Sequence, residues 1–455
     1  MTQIILTVDL GFGDAGKGSV VDALTRRYEA HTVVRFNGGA QAAHRVVEAG
    51  PASREHVFSQ FGSGTLAGAT THLSRFMLVD PPALLAEAAH LQAIGVPAPL
   101  AQVNIDTDAV IVTPYQRAIN RLRELARGTG RHGSCGMGVG EAAQDALAAN
   151  DQVLRAGDML HPDRLRERLR WLRDYNCAKL AALRPLLPDS AQARDELAVF
   201  DDAELENWFC ECAEVAGTAQ IVGGEHLGRL LNRPGCVVFE AAQGVLLDEW
   251  RGFHPYTTWS TTTLQNAETL LREARYHGHV TRLGITRAYT TRHGAGPLPS
   301  EDATLTAALP DARNGTGAWQ GGFRSGWLDL VLLRYACAVV GQLDGLALTC
   351  LDRAAALPAL HICTQYQDGT TAVPQLAPAQ SPHDLTHQEQ LTTRLLRVRP
   401  QLAPLANTDH LIAHVERTLG LPVLLQSYGP TAAKKDMGKL RGWNSDYCAT
   451  TTAAG

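Results

Sequence analysis

Gln3-Ile4-Ile5-Leu6-Thr7-Val8-Asp9-Leu10, running directly into Gly11-Phe12-Gly13-Asp14-Ala15-Gly16-Lys17-Gly18-Ser19, is an apolar run that empties into a glycine-rich loop. The run has the length and β-branched content of a buried strand. A second run of this kind covers 31–36, and the intervening VVDALTRRYEA places its apolar residues at helical spacing. Strand, loop, helix, strand is how an α/β nucleotide-binding sheet begins. Glycines after the strand let backbone N–H groups approach phosphate oxygens, and the following helix presents its positive end. The match to GxxxxGK stops at Gly18, where the ordinary phosphate loop carries a magnesium-holding Ser or Thr. Asp14 is equally out of place, because a carboxylate inside this loop repels a polyphosphate unless it holds magnesium or has a proton to remove. Taken alone, the segment also fits a plain glycine turn with Lys17 in solvent.

Outward from this loop, the 455 residues are 45% hydrophobic and 19% charged, the balance of a soluble globular protein able to bury a large core. Length favours two or three domains or, as in many large α/β enzymes, one sheet with helical insertions. A net charge of −5 without a basic stripe argues against nucleic acid as a partner. The sequence shows no basic leader before an apolar segment and no apolar run of bilayer length, so neither a signal peptide nor a membrane span is expected. Nine cysteines, Cys135, Cys177, Cys210, Cys212, Cys236, Cys337, Cys350, Cys363 and Cys448, form no CxxC pair. That is neither a zinc site nor a disulfide framework, and it points to the reducing cytoplasm.

From 82 to 235 the pattern is mostly helical, and GCVVFEAAQG then restores a strand ending in a loop. Further buried strands are expected at 285–291, 343–352 and 421–427. The stretch 366–410, rich in Pro, Thr and Gln, reads as a surface excursion of hairpins and loops. One domain over 1–455, a mostly parallel central sheet with a helical insertion at 82–235, accounts for this order. No solenoid repeat is present.

A second motif, Val34-Arg35-Phe36-Asn37-Gly38-Gly39-Ala40-Gln41-Ala42-Ala43-His44, is a strand running into a small-residue loop that ends on an imidazole. An isolated histidine is more often structural than catalytic. Beside a phosphate loop holding an acid, the pair can serve as proton acceptor and electrophilic helper in phosphoryl transfer.

Taken together, GDAGKGS and VVRFNGGAQAAH resemble the N-terminal signature of adenylosuccinate synthetases, usually GDEGKGK followed by VVRxxGGxNAGH. The likeness continues in order through FEAAQGVLLD, PYTTWSTTT, AYTTRHGAGPLPSE, SGWLDLVLLRYA, LTCLD and SYGP, over nearly the whole chain. The resemblance implies homodimers, magnesium, and a two-step reaction. The γ-phosphate of GTP moves to the 6-oxo group of IMP, and the amine of aspartate then displaces it. By position, Asp14 resembles the residue that takes the purine N1 proton and helps hold magnesium, with the Ala43 carbonyl facing the metal. Lys17 and the backbone of Gly13, Ala15, Gly16 and Gly18 resemble the phosphate binders, and His44 the stabiliser of the transferring oxygen. Gln41, Cys135, Gln243, Thr258 and Arg324 fall at substrate contacts. Asp352 resembles the carboxylate that reads N1 and N2 of guanine, with Ser427 and Gly429 near that base. A carboxylate facing two guanine donors discriminates against adenine.

The departures cluster by function. Thr-Thr-Gly-Arg-Gly-Ile-Gly-Pro of the family appears as Ser134-Cys135-Gly136-Met137-Gly138-Val139-Gly140-Glu141, losing a hydroxyl and an arginine near the nucleotide monophosphate. An arginine that reaches the 5′-phosphate from the other subunit has no counterpart in 145–152. The aspartate-binding Thr-Thr-Gly-Arg-Arg-Arg-Arg-Thr-Gly-Trp becomes Ala318-Trp319-Gln320-Gly321-Gly322-Phe323-Arg324-Ser325-Gly326-Trp327, which keeps one arginine of four. One guanidinium is poorly suited to desolvating two carboxylates. Trp319 and Phe323 then either meet an apolar or aromatic amine or anchor the loop. Cys350 replaces a lysine that usually lies against guanine, weakening a cation–π contact. Phosphoryl-transfer residues kept and substrate contacts eroded imply a GTP-dependent C–N ligase with changed substrates, a purine nucleotide or related heterocycle and an amine. The alternatives are the housekeeping synthetase using IMP and aspartate, and a catalytically silent GTP-binding homologue.

Overall fold

The computed structural model describes residues 2–50, 53–311, 314–315, 317 and 319–438; Ala318 and Cys448 lie outside them. A ten-stranded sheet forms the centre, in the order Lys435–Met437, Val423–Ser427, Gly345–Thr349, Val280–Arg287, Gln3–Asp9, Cys236–Glu240, Ala30–Arg35, Thr70–Leu73, Val103–Asp106, Gln220–Val222. Every neighbouring pair is parallel except the last-entering strand, Lys435–Met437, which runs antiparallel at one edge. All seven residues of Gln3–Asp9 are buried. Both faces of a parallel strand are covered, so its sequence is continuously apolar rather than alternating. Ile4, Leu6 and Val8 enter one core cluster, and Ile5 enters another with Val20, Val21 and Leu24 of the helix Lys17–Arg27.

The stretch 82–235 supplies the helices Pro114–Ala126, Pro162–Leu183 and Ala203–Ala216 around a core shared with Leu73, Val103 and Ile105 of the large sheet, and the helix Val139–Ala148, whose Val139 and Ala142 pack with Leu78 and Val110. It also contributes Val103–Asp106 and Gln220–Val222 to the large sheet. Short, half-polar strands of three or four residues carry too little periodicity to stand out among helices.

Three expectations need correction. The run 285–291 is two strands: Val280–Arg287 stays in the large sheet, and Tyr289–His293 crosses to a smaller one with Phe323–Asp329, Leu360–Asp368, Thr371–Val373 and Arg399–Leu405. The strand expected at 343–352 is only Gly345–Thr349; Cys350 then takes a left-handed φ of 58° and starts the helix Leu351–Ala355. The 366–410 excursion contains the helix Leu385–Leu395 and the paired strand Arg399–Leu405. Gln388, Leu391, Thr392 and Leu395 of that helix are buried at the i, i+3, i+4, i+7 spacing of one helical face. Two of the four are polar, which hid the period under a loop-like composition.

Candidate active site

The site grows from the C-terminal ends of four adjacent parallel strands. In sheet order these end on Arg287, Asp9, Glu240 and Arg35, and all four side chains are buried. Ligands of open α/β sheets bind at this edge. A charged last residue on an otherwise apolar strand is a signal the sequence carries, and Asp9, Glu240 and Arg287 were not picked out from it.

Asp9 turns back into the glycine loop. Its Oδ1 accepts the Gly11 N–H at 2.8 Å, and its Oδ2 accepts the Ala15 N–H at 3.0 Å and the Lys17 ammonium at 2.7 Å. Lys17 donates a second hydrogen bond to the Gly13 carbonyl. An ammonium has three N–H groups. Lys17 is therefore held by two, which leaves the third for a phosphate oxygen. Gly16 caps the following helix in the left-handed region at φ 83°.

Gly18 explains the broken phosphate-loop pattern. A Cβ on it would lie 2.7 Å from the His44 carbonyl carbon. The backbone of the second motif occupies the place a Ser or Thr side chain would take. His44 consequently stands against the first turn of the loop helix. Its Nδ1 is 2.6 Å from Glu240 Oε1, and Glu240 also accepts the Ser63 N–H at 2.9 Å and the Ser63 hydroxyl. Burial pushes the His44 imidazole down to about 4, against the pull of Glu240. Burial alone would raise Glu240, but His44, Arg35 and Ser63 outweigh it and keep the carboxylate ionised. Nδ1–H is thereby committed to Glu240, and Nε2 is the ring atom left to meet a ligand. Asn37 locks the two strand-end loops together, donating to the Ala242 carbonyl at 2.9 Å and accepting its N–H at 2.7 Å.

Asp14 lies across from Arg287, with Oδ2 2.7 Å from Nη2, and Asn314 Nδ2 donates to the same oxygen at 3.0 Å. Burial disfavours the Arg287 cation, but Asp14, Cys350, Tyr289 and Asp311 together outweigh it, so its pKa rises. His293, at the end of Tyr289–His293, is pushed down by burial against the pull of Asp14. Neither Asn314 nor His293 carries a sequence signal of its own; the fold brings them to Asp14.

The other candidates form a nearby floor and two outlying groups. Gln243 adopts φ 61° and its Nε2 donates to Thr258 Oγ1 at 2.7 Å. Its Oε1, and both carboxamide atoms of Gln41, are buried without a protein partner beside Gly38. Orphaned buried carboxamides are rare and fit a polar ligand edge. Ala43 is exposed between this floor and His44. Cys135 sits in a turn braced by Ser134, whose Oγ accepts Asn120 Nδ2 at 3.0 Å; burial raises its thiol. Arg324 is spent inside the protein: Nε and Nη2 donate to the Gly294 carbonyl at 3.0 and 2.6 Å, Nη2 to Gly296 at 2.9 Å, and Nη1 pairs with Glu301 at 2.6 Å. Asp352 is exposed in the first turn of Leu351–Ala355, the helix that follows Gly345–Thr349, the strand next to that of Ser427. Lys435 donates to the carbonyls of Gly429 and Thr431, and burial lowers its ammonium to about 8.

A family model, adenylosuccinate synthetase, matches residues 6–435. The chain is 33% identical over 446 residues to the adenylosuccinate synthetase of Myxococcus xanthus, covering 93% of this chain and 96% of that protein. It is 34% identical over 377 residues to that of Chromohalobacter salexigens, covering 82% of each. Among solved structures, the fully ligated adenylosuccinate synthetase of Plasmodium falciparum superposes with a TM-score of 0.74 at 19% identity, covering 96% of this chain and 99% of the other. The cyanophage S-2L succinoaminodeoxyadenylate synthetase, bound to dGMP and to dATP as an energy donor, superposes with a TM-score of 0.60 at 16% identity, covering 96% and 95%. These two likenesses concern the fold.

Proposed function

The chain belongs to the adenylosuccinate synthetase family, and from that premise we propose a GTP-dependent ligase that phosphorylates the oxygen of an oxo-heterocycle and replaces it with an amine, in a pocket built for substrates other than IMP and aspartate. The observation that carries this reading is the coexistence of the His44–Glu240 pair and Asp14 at one sheet edge with an Arg324 already consumed by Gly294, Gly296 and Glu301. In the first step the heterocycle oxygen attacks the γ-phosphorus and GDP leaves. Asp14 takes the adjacent ring N–H proton, which concentrates electron density on the attacking oxygen. His44 Nε2, aimed by Glu240, faces the oxygen being phosphorylated. Anionic phosphates beside it favour its imidazolium, which then donates where negative charge gathers. In the second step the amine attacks the ring carbon and phosphate departs, which an amide-like oxygen could not do unphosphorylated.

Asp14 and the Ala43 carbonyl are hard oxygen donors of the kind magnesium takes and would hold the ion beside the phosphates. When bound, magnesium neutralises charge on the transferring phosphoryl group. Asp352 is placed to read the guanine N1 and N2 donors, with Ser427 and Gly429 beside the base. The acceptor is an IMP-like nucleotide or a related heterocycle lying on Gln41, Gln243 and Thr258. A homodimer, typical of the family, and a cytoplasmic setting complete the reading; none of the eight cysteines among the described residues forms a disulfide, and no described helix is long and apolar enough to cross a membrane.

The test is GDP release from GTP with magnesium against a panel of oxo-heterocycles and amines. Release that needs both substrates and disappears in Asp14→Ala and His44→Ala supports the reading. Ordinary turnover of IMP with aspartate would return the protein to the housekeeping role, and tight GTP binding with no release across the panel would make it a silent homologue.

A further inference from the structure

Glu240 aims His44, and Ser63 aims Glu240. Ser63 donates its N–H to Oε2 at 2.9 Å and its hydroxyl to Oε1, the oxygen that His44 Nδ1 meets at 2.6 Å. One donor on each oxygen fixes the plane of the carboxylate, because rotation about the Cγ–Cδ bond would break both hydrogen bonds at once. Ser63, Glu240 and His44 are all buried. The direction of His44 Nε2 is therefore set two side chains away from the ring.

Ser63 ends a loop whose backbone is held from both sides. On one side the buried Glu87 of the helix Pro81–Ala93 accepts the N–H groups of Ser59, Gln60 and Phe61 at 2.9, 2.8 and 3.3 Å and the Ser59 hydroxyl at 2.8 Å. Successive N–H groups converging on one carboxylate form an anion nest. On the other side Arg35 Nη1 donates to the carbonyls of Ser59 and Phe61 at 3.0 and 3.1 Å. Gly62 gives its N–H to Thr71 Oγ1 at 2.9 Å, and a Cβ on it would come within 2.6 Å of Val33. The loop is thus pressed onto the strand Ala30–Arg35. Arg35 also acts through space, since its charge favours the Glu240 carboxylate and opposes charging of His44. Burying a glutamate and an arginine around five residues contributes little net stability, and what the two charges supply is a single conformation of the loop.

We propose that Ser63 is a positioning residue for His44: its forked grip on Glu240 fixes the line along which His44 Nε2 meets the reacting oxygen, and the Glu87 cradle holds Ser63 in place to do so. The inference rests on the proposed function for the work His44 does, whereas its first test needs no substrate. In the full chain without ligands, nitrogen–proton correlation NMR observes the His44 Nδ1–H, identified by its absence in His44→Ala. Ser63→Ala removes the hydroxyl and keeps the backbone donor; it shifts this resonance and speeds its exchange with water at least about tenfold. Glu87→Gln, which puts a donor where the cradle needs an acceptor, produces the same change in smaller measure. Ser63→Cys, nearly the same in shape and with a weak S–H donor, falls between Ser63→Ala and the parent. GDP release, measured with the panel substrates that the parent turns over, falls about tenfold or more in kcat in Ser63→Ala, with the KM for GTP within about twofold. An Nδ1–H signal and exchange rate unchanged in Ser63→Ala overturn the proposal, as does a loss of kcat that only follows the folded fraction. Should Ser63→Ala fail to fold, Ser63→Cys and Glu87→Gln carry the same comparison. The NMR changes as described, with no GDP release from the parent across the whole panel, sink the ligase reading and leave the positioning of His44 standing.

Discussion

A neutral imidazole whose Nδ1–H is given to an ionised carboxylate has one nitrogen with which to act, and this is the state of His44. Glu240 holds up a pKa that burial pushes to about 4. Glu240→Gln therefore lowers the His44 pKa further and releases its tautomer, which nitrogen–proton correlation NMR reads directly. Turnover falls by about a hundredfold or more while GTP affinity changes little, because the change touches the reacting oxygen rather than the nucleotide. Asp9 and Lys17 form a second unit, with side chains 0% and 1% exposed and a separation of 2.7 Å. Removing one member strands the other's charge, so Asp9→Ala and Lys17→Met each cost about 3–5 kcal/mol. The double variant costs well under the sum, since no charge is then stranded. Urea unfolding of the three variants measures this, and additive losses would show that the two act independently. Lys17 was legible as a cation in a phosphate loop, but its anchor was not. A carboxylate eight residues away that reaches back into the nest shows in the sequence only as the polar end of a strand.

The elements explain why the familiar loop pattern breaks where it does. Gly18 faces the His44 backbone at a distance no Cβ tolerates, so Gly18→Ala must displace one motif from the other. A loss of about 1–3 kcal/mol in stability is expected, with a larger loss of turnover than of GTP binding; thermal unfolding and GDP release are the paired measurements. An interior strand of the large sheet carries a pH signature of a different origin. His72 of Thr70–Leu73 is buried against His226, with ring centroids 5.9 Å apart, both of its nitrogens unpartnered and its pKa pushed by burial to about 3. Its folded pKa lies below the unfolded value of about 6.5, so its neutral form favours the fold. That contribution is complete above pH 6.5 and is lost as the pH falls from there toward 3. Between pH 6.5 and 4.5 it amounts to roughly 2–3 kcal/mol, and His72→Phe, compared with the parent by urea unfolding at both values, flattens the pH dependence by that amount. Of the elements, the central apolar strands were readable because burial on both faces leaves only one kind of residue. Leu385–Leu395 and the crossing at Ala288 were not, because a polar helix face and a strand that changes sheets both need the tertiary structure to be seen.

At the scale of the whole molecule, two packed bodies meet over the site. The strand-end loops belong to the large sheet, whereas the turn 131–140 belongs to the helical body between 114 and 216. At this turn two tryptophans make the contact. Trp319 lies where a Cβ on Gly136 would come within 2.9 Å, and Trp259, 47% exposed, stands 3.0 Å from such an atom on Gly140. Arg121 ties the same turn down from the helical side, donating to the Gly136 carbonyl at 2.9 Å while its guanidinium faces Trp319. The sequence suggested a loop that had lost its arginines; the structure shows an anchor in their stead, so the two bodies are held in register before any substrate arrives. Trp319→Ala removes that anchor without touching Asp14, His44 or the glycine loop. It should raise the KM for the acceptor by about tenfold or more through lost positioning, with GTP affinity within about twofold of the parent. Limited proteolysis distinguishes the cause, because a released turn is cut within 128–140 while the sheet stays intact. A Trp319→Ala enzyme with unaltered acceptor KM and an uncut turn would mean that Arg121 and the glycine backbone hold this turn in place by themselves.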